Sequence, residues 1–313
     1  MTTASTRPTN LAIGVAMIVA AAFLISVQDV IVKNLDNTLP LWQLFALRGL
    51  FTAPILAALA LSSARSSAAF HGVFAPWALV RGASITIGLF GFYAALPFIS
   101  LATAGAGIYL APIFIALMSS RLLGEPVSRF GWIGVALAFV GALVLLQPGS
   151  DTFTYWAVLP VFGAVLYAVG HMLTRLKCQA YSSASLAFSY NLCMTTGAFL
   201  VSGLLLIWQP AESLQSNYPF VLGSWTDTTA ALWLLLAGMG ALFAAIAMLL
   251  AGAYKSAPPS IIGTLEYSYL IFAILWDILF FATIATPATL IGIGSIIIGG
   301  WLVLRPQNNP PES

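Results

Sequence analysis

The chain has 313 residues, of which 11 are Lys or Arg and 9 are Asp or Glu, so charged residues make up only 6%. A soluble domain usually carries about 25% charged residues, whereas this chain is 60% apolar with a mean hydropathy of +0.99. A soluble enzyme is excluded for lack of polar surface, and a net charge of +2 is too small for a nucleic-acid partner. The two cysteines show neither metal spacing nor a secretory disulfide framework, so no metal site is expected. No cofactor is expected either.

Ten apolar runs are long enough to cross a bilayer as helices of about 20 residues. In chain order they lie at 11–32, 41–62, 76–98, 101–120, 130–147, 155–174, 183–207, 229–253, 259–281 and 285–304. The runs are continuous rather than alternating, which predicts helices and not barrel strands. The first run is too long for the core of a signal peptide and is interpreted as an uncleaved span. The chain is therefore predicted to be an all-α integral membrane protein with ten transmembrane helices and short tails at 1–10 and 307–313.

Basic residues in the connections predict the orientation of these spans. With the N-terminus inside, the inner face carries Arg7, Arg65, Arg121, Arg129, Arg175, Lys177, Lys255 and Arg305. The outer face carries Lys33 as its basic residue. This bias predicts a multi-pass protein of the plasma membrane, the inner membrane of a bacterium, with both termini in the cytoplasm.

The second half of the chain repeats the first. An offset of 158 places Tyr109 on Tyr267 and aligns GWIGVALAFVGALVLLQP with TLIGIGSIIIGGWLVLRP without a gap. Earlier in each half an offset of 142 places Asp29 on His171. The predicted repeats contain five spans each. They cover 11–148 and 155–306.

Because five is an odd number, the second repeat must be inverted in the membrane relative to the first. Inverted repeats are typical of secondary transporters, whose site lies near the midplane between the halves.

Two stretches resemble a known family. FYAALPFISLATAGAGIYLAPIFIALMSSRLLGEPVSRFGWIGVALAFVGALVLLQP is similar to the first repeat of EamA-type carriers of the drug/metabolite transporter superfamily, and SAPPSIIGTLEYSYLIFAILWDILFF is similar to the second. The resemblance implies ten spans, two EamA repeats and movement of small organic solutes. The LLGE at 122–125 has FFAT as its counterpart, so Thr283 replaces the acidic residue. QDVIVK and LRG resemble a branch that includes S-adenosylmethionine and riboflavin carriers.

Six ionisable residues lie inside the predicted spans, where a charge near the bilayer centre costs at least ~2.5 kcal/mol. They are Asp29, Arg48, Arg81, His171, Glu266 and Asp277. Such groups are expected to face the bundle interior, a solute or one another.

Depth along each span predicts which of these groups meet. At a rise of ~1.5 Å per residue, Asp29 and Arg48 lie at similar depth on the outer side, and Lys33 offers Asp29 a second partner. Glu266 and Arg81 lie at similar depth on the inner side. One hypothesis makes Asp29 and Arg48 an outer gate or a contact for a zwitterionic solute, with Glu266 as a substrate or proton site. The alternative is that both pairs are static braces.

Arg81, Asp277 and Lys33 are expected as gate or brace residues. Arg81 and Asp277 are near enough to the interface to extend towards the headgroups. His171, near the inner boundary, is expected to be solvated.

Four tyrosines are singled out because a hydroxyl deep inside a span needs a hydrogen-bond partner. They are Tyr93, Tyr109, Tyr267 and Tyr269. Because Tyr109 and Tyr267 are repeat equivalents, one hypothesis places both in a central cavity against a flat or amphipathic solute. The alternative is that they only pack and bond to neighbouring carbonyls.

A secondary carrier is the function that these features favour. An intramembrane enzyme would need a motif such as HExxH or GxSxG, a channel would need a filter motif, and a scaffold or receptor would need no inverted repeat. No Walker A motif is present, so a gradient must supply the energy. The expected partners are the lipid bilayer and a small solute such as an amino acid, S-adenosylmethionine or riboflavin. Import, export and a homodimer are left open.

Overall fold

The protein is largely helical in the part of the chain that the computed structural model describes, which is 10–35, 38–63, 71–99, 101–122, 128–146, 154–281 and 286–304. No strand occurs within these ranges. In chain order the helices are α1 (Leu11–Leu35), α2 (Leu41–Ser63), α3 (Pro76–Ala95), α4 (Leu101–Ile108), α5 (Ala111–Leu122), α6 (Arg129–Leu146), α7 (Val158–Lys177), α8 (Ser183–Trp208), α9 (Glu212–Asn217), α10 (Pro219–Leu222), α11 (Ala230–Ser256), α12 (Pro259–Leu265), α13 (Ser268–Phe281) and α14 (Pro287–Leu304). Outside the described residues lie Arg7, Arg65, Glu125, Thr283, Arg305 and the tail at 307–313.

Seven helical stretches of 20 to 27 residues are long and apolar enough to cross a membrane. They are α1, α2, α3, α7 with the 3₁₀ turn before it, α8, α11, and α12 continued by α13. Shorter apolar helices lie at Ala111–Leu122, Arg129–Val144 and Leu290–Leu302. Large apolar side chains such as Leu200, Leu206 and Leu234 are exposed on the outside of the bundle. The chain is therefore a multi-pass membrane protein, because lipid is the solvent that tolerates such a surface.

Two predicted spans are broken in the middle. The fourth run breaks between α4 and α5, at Tyr109 and Leu110, and the ninth breaks between α12 and α13, at Glu266 and Tyr267. Pro112 favours the first break because it has no N–H and its ring clashes with the carbonyl four residues earlier. The second break has no proline at the equivalent position, and nothing local explains it.

The helix bounds follow the offsets found in the sequence. α6 and α14 differ by 158 positions at both ends, and α4 and α12 begin 158 positions apart. α1 and α7 end 142 positions apart. The two breaks therefore fall within one position of equivalent places in the two halves of the chain.

Helices from the two halves pack closely against each other. α6 packs on α14, α3 on α7, α2 on α8, and α1 on α11. At the α6–α14 contact a Cβ added at Gly141 would stand 2.5 Å from the Gly292 carbonyl oxygen, and one added at Gly299 would meet the carbonyl oxygen of Gly134. Only glycine permits such a close backbone approach. The halves are thus interlocked, and the centre of the bundle lies between them.

Candidate functional site

A cavity of about 50 Å³ lies among the helices of both halves. The first half contributes side chains from α1 to α4, and the second half contributes side chains from α7, α8, α11 and α13. The polar side chains on its wall are Gln28, Asp29, Arg48, Tyr93, Tyr109, Tyr167, Tyr190, Glu266 and Tyr269. Six of the candidates named from the sequence therefore share one cavity, and they include both carboxylates that were assigned to separate pairs.

Asp29 is held by two tyrosines. It is 2% exposed on α1, and its Oδ1 accepts a 2.8 Å hydrogen bond from the Tyr93 hydroxyl while its Oδ2 accepts one of 2.8 Å from Tyr269. Gln28 in turn donates to the Tyr93 hydroxyl at 3.2 Å. Among the described residues no ion pair joins Asp29 to Arg48. The predicted direct pair is therefore replaced by a bridge of hydroxyl groups that connects α1 to α3 and α13.

Glu266 ends α12, at the break before α13, and is 4% exposed. Its Oε1 accepts hydrogen bonds from Tyr254 at 2.8 Å and from Tyr167 at 3.3 Å. None of the described residues donates to Oε2. The predicted partner Arg81 lies elsewhere, because its Nε donates to Thr174 at 2.6 Å and its Nη1 to the Leu186 carbonyl at 3.2 Å.

Arg48 is fully buried on α2, between two aromatic rings. Its guanidinium carbon lies 4.4 Å from the centroid of Phe45 and 4.1 Å from that of Phe243. Nη2 contacts the Met194 sulfur at 2.8 Å, whereas Nε and Nη1 have no hydrogen-bond partner among the described residues. The cation is therefore stabilised by π faces and by charge attraction to Asp29, with no acceptor on two of its nitrogens.

His171 and Arg81 are buried, contrary to the expectation of solvent for His171 and of headgroup contact for Arg81. His171 is 0% exposed and Arg81 is 1% exposed. The His171 ring lies 4.2 Å from Tyr167 and 4.1 Å from Tyr254, centroid to centroid, and within the described part of the chain neither ring nitrogen has a hydrogen-bond partner. The depth estimate failed because it measured distance along the helix, whereas neighbouring helices cover these side chains laterally. Tyr254 of α11 packs on His171, and Arg81 bonds to Thr174 of α7 and Leu186 of α8.

Asp277 and Lys33 lie outside the cavity wall. Asp277 is 8% exposed, so it also does not extend into the headgroups as expected. It lies within electrostatic range of Lys33. The sequence analysis had predicted Lys33 as a second partner of Asp29 instead. Lys33 lies four residues after Asp29, near the C-terminal end of α1, so the two residues relate α1 to α13 at that end of the helix.

The two repeat-equivalent tyrosines do not occupy equivalent places. Tyr109 lines the cavity and stacks on Tyr269, with centroids 4.8 Å apart and an interplanar angle of 27°. Tyr267 borders a narrow crevice beside Gly134 and Gly299 instead, so its predicted place in the cavity is wrong. Residues two apart in a helical turn point about 200° apart, so Tyr269 faces the cavity and Tyr267 faces away.

Two cavity tyrosines, Tyr167 and Tyr190, were missed from the sequence. Tyr254, which donates to Glu266 but is not on the cavity wall, was missed as well. The signal that singled out the other tyrosines, a hydroxyl inside an apolar run, applies equally to these. Among the described residues no group of three His, Cys, Asp or Glu is placed to hold a metal ion.

Comparisons with known proteins agree with this architecture. Residues 12–147 match the EamA-like transporter family. A riboflavin transporter of Rhizobium johnstonii is 27% identical over 231 residues, which cover 65% of this chain and 74% of the relative. A pseudopaline exporter of Pseudomonas aeruginosa is 25% identical over 292 residues, which cover 93% of this chain and 95% of the relative.

One solved crystal structure shares the fold. It superposes with a TM-score of 0.66 at 18% identity, over 93% of this chain and 96% of its own chain. At this identity the similarity concerns the arrangement of helices alone.

Proposed function

Residues 12–147 identify the chain as an EamA-type transporter, and from this premise we propose that it carries a small organic metabolite across a bacterial inner membrane by alternating access. The resemblance that the sequence motifs indicated is thereby confirmed. The solute class proposed is an amino acid, S-adenosylmethionine, riboflavin or a similar metabolite. Two inverted repeats of five spans each, 11–148 and 155–306, are the proposed architecture, and the helix bounds that keep the sequence offsets support it.

The observation that carries the proposal is the cavity between the halves. It brings Asp29, Arg48 and Glu266 together, and each is at most 4% exposed. A static brace would join opposite charges directly, because a buried charge without a partner is costly. Here the two carboxylates accept hydrogen bonds from tyrosines, and Arg48 donates to the sulfur of Met194. Charged groups kept apart in this way are suited to exchange partners with a solute or a proton.

The size of the cavity supports a moving site. Ligand pockets usually measure about 300–1,000 Å³, whereas this one measures about 50 Å³, with room for only a few water molecules. A metabolite therefore enters only when the surrounding helices separate. The breaks after α4 and α12 border the cavity, as the discontinuous helices of other secondary transporters border their substrate sites. They are the proposed hinges for this separation.

The orientation and the energy source are parts of the same proposal. The excess of basic residues in one set of loops supports cytoplasmic termini. No ATP-binding motif occurs in the sequence, so the driving force is a solute or proton gradient. Glu266 is the proposed coupling residue, since its Oε2 is available for a proton or for a positively charged group of the solute.

The test is transport by the purified protein in proteoliposomes, with a panel of labelled metabolites and with or without a pH gradient. We expect flux of at least one metabolite, and we expect Glu266→Gln to abolish it because the amide carries no charge. The amide oxygen still accepts from Tyr254, so folding and membrane insertion should persist. Glu212→Gln, in an exposed position on α9, is the matched control and should transport normally. Flux through the Glu266→Gln protein at the wild-type rate would contradict the role of Glu266, and no flux with any metabolite would contradict the carrier.

A further inference from the structure

Arg48 is the cationic side chain on the wall of the cavity, and its hydrogen-bonding capacity is largely unused. The side chain is fully buried, and no described residue offers an acceptor to Nε or Nη1. These two nitrogens carry three of the five N–H groups of a guanidinium. A buried charged donor without an acceptor is strongly unfavourable, so this arrangement costs stability unless an acceptor arrives during function.

The surroundings of Arg48 hold the guanidinium in a fixed place. Phe45 and Phe243 lie 4.4 and 4.1 Å from its central carbon, and Met194 contacts Nη2. None of these neighbours is a strong acceptor, since a thioether sulfur accepts only weakly. The group is therefore oriented in advance, as a recognition site requires.

We propose that Arg48 is an anion-binding subsite and that the transported solute carries a carboxylate which binds there; this rests on the proposed carrier function. The planar fork of a guanidinium matches a carboxylate in geometry. The charge balance of the cavity favours a carboxylate that comes together with an amine. Arg48 shares the wall with two carboxylate residues, Asp29 and Glu266, so with both ionised an anion that has no positive group of its own would be repelled, and a phosphate more than a carboxylate.

Glu266 is placed to bind the opposite end of the same solute. Its Oε2 receives no donor from the described residues, so it is open to an amino group, and the Tyr109–Tyr269 stack lies on the wall between the two halves. Compounds with an amine, a carboxylate and an apolar or aromatic body therefore probe the subsite most directly.

The experiment measures thermal unfolding of the purified full chain in detergent with three matched pairs of compounds. The pairs are L-phenylalanine with L-phenylalaninamide, L-tryptophan with L-tryptophanamide, and L-methionine with L-methioninamide. Each amide keeps the amine and the body and lacks the carboxylate. A ligand that binds the folded state raises the midpoint of unfolding, and we expect at least one acid to bind about tenfold more tightly than its amide.

Two variants and a control connect this preference to Arg48. We expect Arg48→Gln to remove the difference between acid and amide, and Arg48→Lys to keep part of it as a point charge. Without ligand, Arg48→Gln should unfold no earlier than wild type, because it removes a buried charge that lacks acceptors; a structural arginine would give the opposite result. Arg175→Gln removes a positive charge from α7 outside the cavity wall and should leave the preference intact.

The outcomes separate the subsite from the carrier. Stabilisation by none of the three acids, or an acid preference that survives in Arg48→Gln, overturns the carboxylate subsite. Riboflavin has no carboxylate, so flux of riboflavin without binding of the acids would overturn the subsite while the carrier function stands. Absence of all flux together with specific binding of an acid would overturn the carrier function and keep the subsite.

Discussion

The hydroxyl of Tyr269 donates a 2.8 Å hydrogen bond to Oδ2 of Asp29, although 240 positions of sequence separate the two residues. The bond joins α1, near the start of the chain, to α13, the second part of a broken helix. Tyr93, on α3, donates a hydrogen bond to the other oxygen of the same carboxylate. A movement of α13 away from α1 must break this contact, so it is suited to hold the contracted form of the cavity.

Replacing Tyr269 with Phe should destabilise the protein. The substitution leaves Oδ2 of Asp29 buried without a donor, which costs about 1–3 kcal/mol in the free energy of unfolding. Denaturant unfolding in detergent measures the change, and Tyr155→Phe is the control because Tyr155 is 88% exposed. In a double-mutant cycle with Asp29→Asn, the two effects should not add, since both act on one contact. Equal stability of the Tyr269→Phe and Tyr155→Phe proteins would contradict the structure.

Replacing Gly141 with Ala should separate α6 from α14. The added Cβ would stand 2.5 Å from the Gly292 carbonyl oxygen, and backbone cannot move aside as a side chain can. Overpacking of this kind typically costs about 1–3 kcal/mol. Gly294→Ala in the facing helix is the matched control, because nothing lies within 4 Å of its added Cβ. A lower midpoint of thermal unfolding for Gly141→Ala alone is the expected result, and equal midpoints would argue against the close helix contact.

Replacing His171 with Phe should preserve or increase stability. The imidazole lies between Tyr167 and Tyr254, and neither nitrogen has a hydrogen-bond partner. Phe keeps the ring contacts and removes the unsatisfied polar atoms, each of which costs about 1–3 kcal/mol when buried. Comparison with His71→Phe, at an exposed position, controls for the general effect of adding an apolar ring. A large loss of stability would mean that the imidazole has a partner, such as a bound water or ion.

The orientation predicted from the basic loops can be measured directly. A fluorescent protein that matures only in the cytoplasm, fused after Ser313, should fluoresce, and a phosphatase that is active only outside should be inactive there. Moving basic residues from the loops assigned to the cytoplasm to those assigned to the outside should lower the fluorescence, because the excess of Lys and Arg sets the orientation. Fluorescence absent from the fusion and phosphatase activity present would reverse the assigned sides.

The helices themselves were largely predictable. Each predicted run corresponds to helix in the described residues, because a backbone in lipid must satisfy its own hydrogen bonds. The break at Tyr109 has a local cause in Pro112. The break at Glu266 has no such cause, so the sequence indicated one continuous span where the structure has α12 and α13.

The site was predictable in part. Asp29, Arg48 and Glu266 stand out as charges inside apolar runs, and all three line the cavity. Their partners did not follow from depth, since tyrosines and sulfur take the places assigned to opposite charges. Tyr267 was placed in the cavity by repeat symmetry, but the turn after Glu266 presents Tyr269 there instead.

The sequence by itself determined that this protein lies in a membrane, that it is helical, and which few ionisable groups lie within its apolar segments, because those properties depend on how apolar each segment is. The tertiary structure decided which of those groups share a cavity. Rotation of each helix about its axis sets which side chains face inward, and that rotation is fixed by contacts such as Gly141 with Gly292, between residues far apart in the chain. For this reason Asp29 and Glu266, assigned by depth to different ends of the bundle, meet in the same pocket.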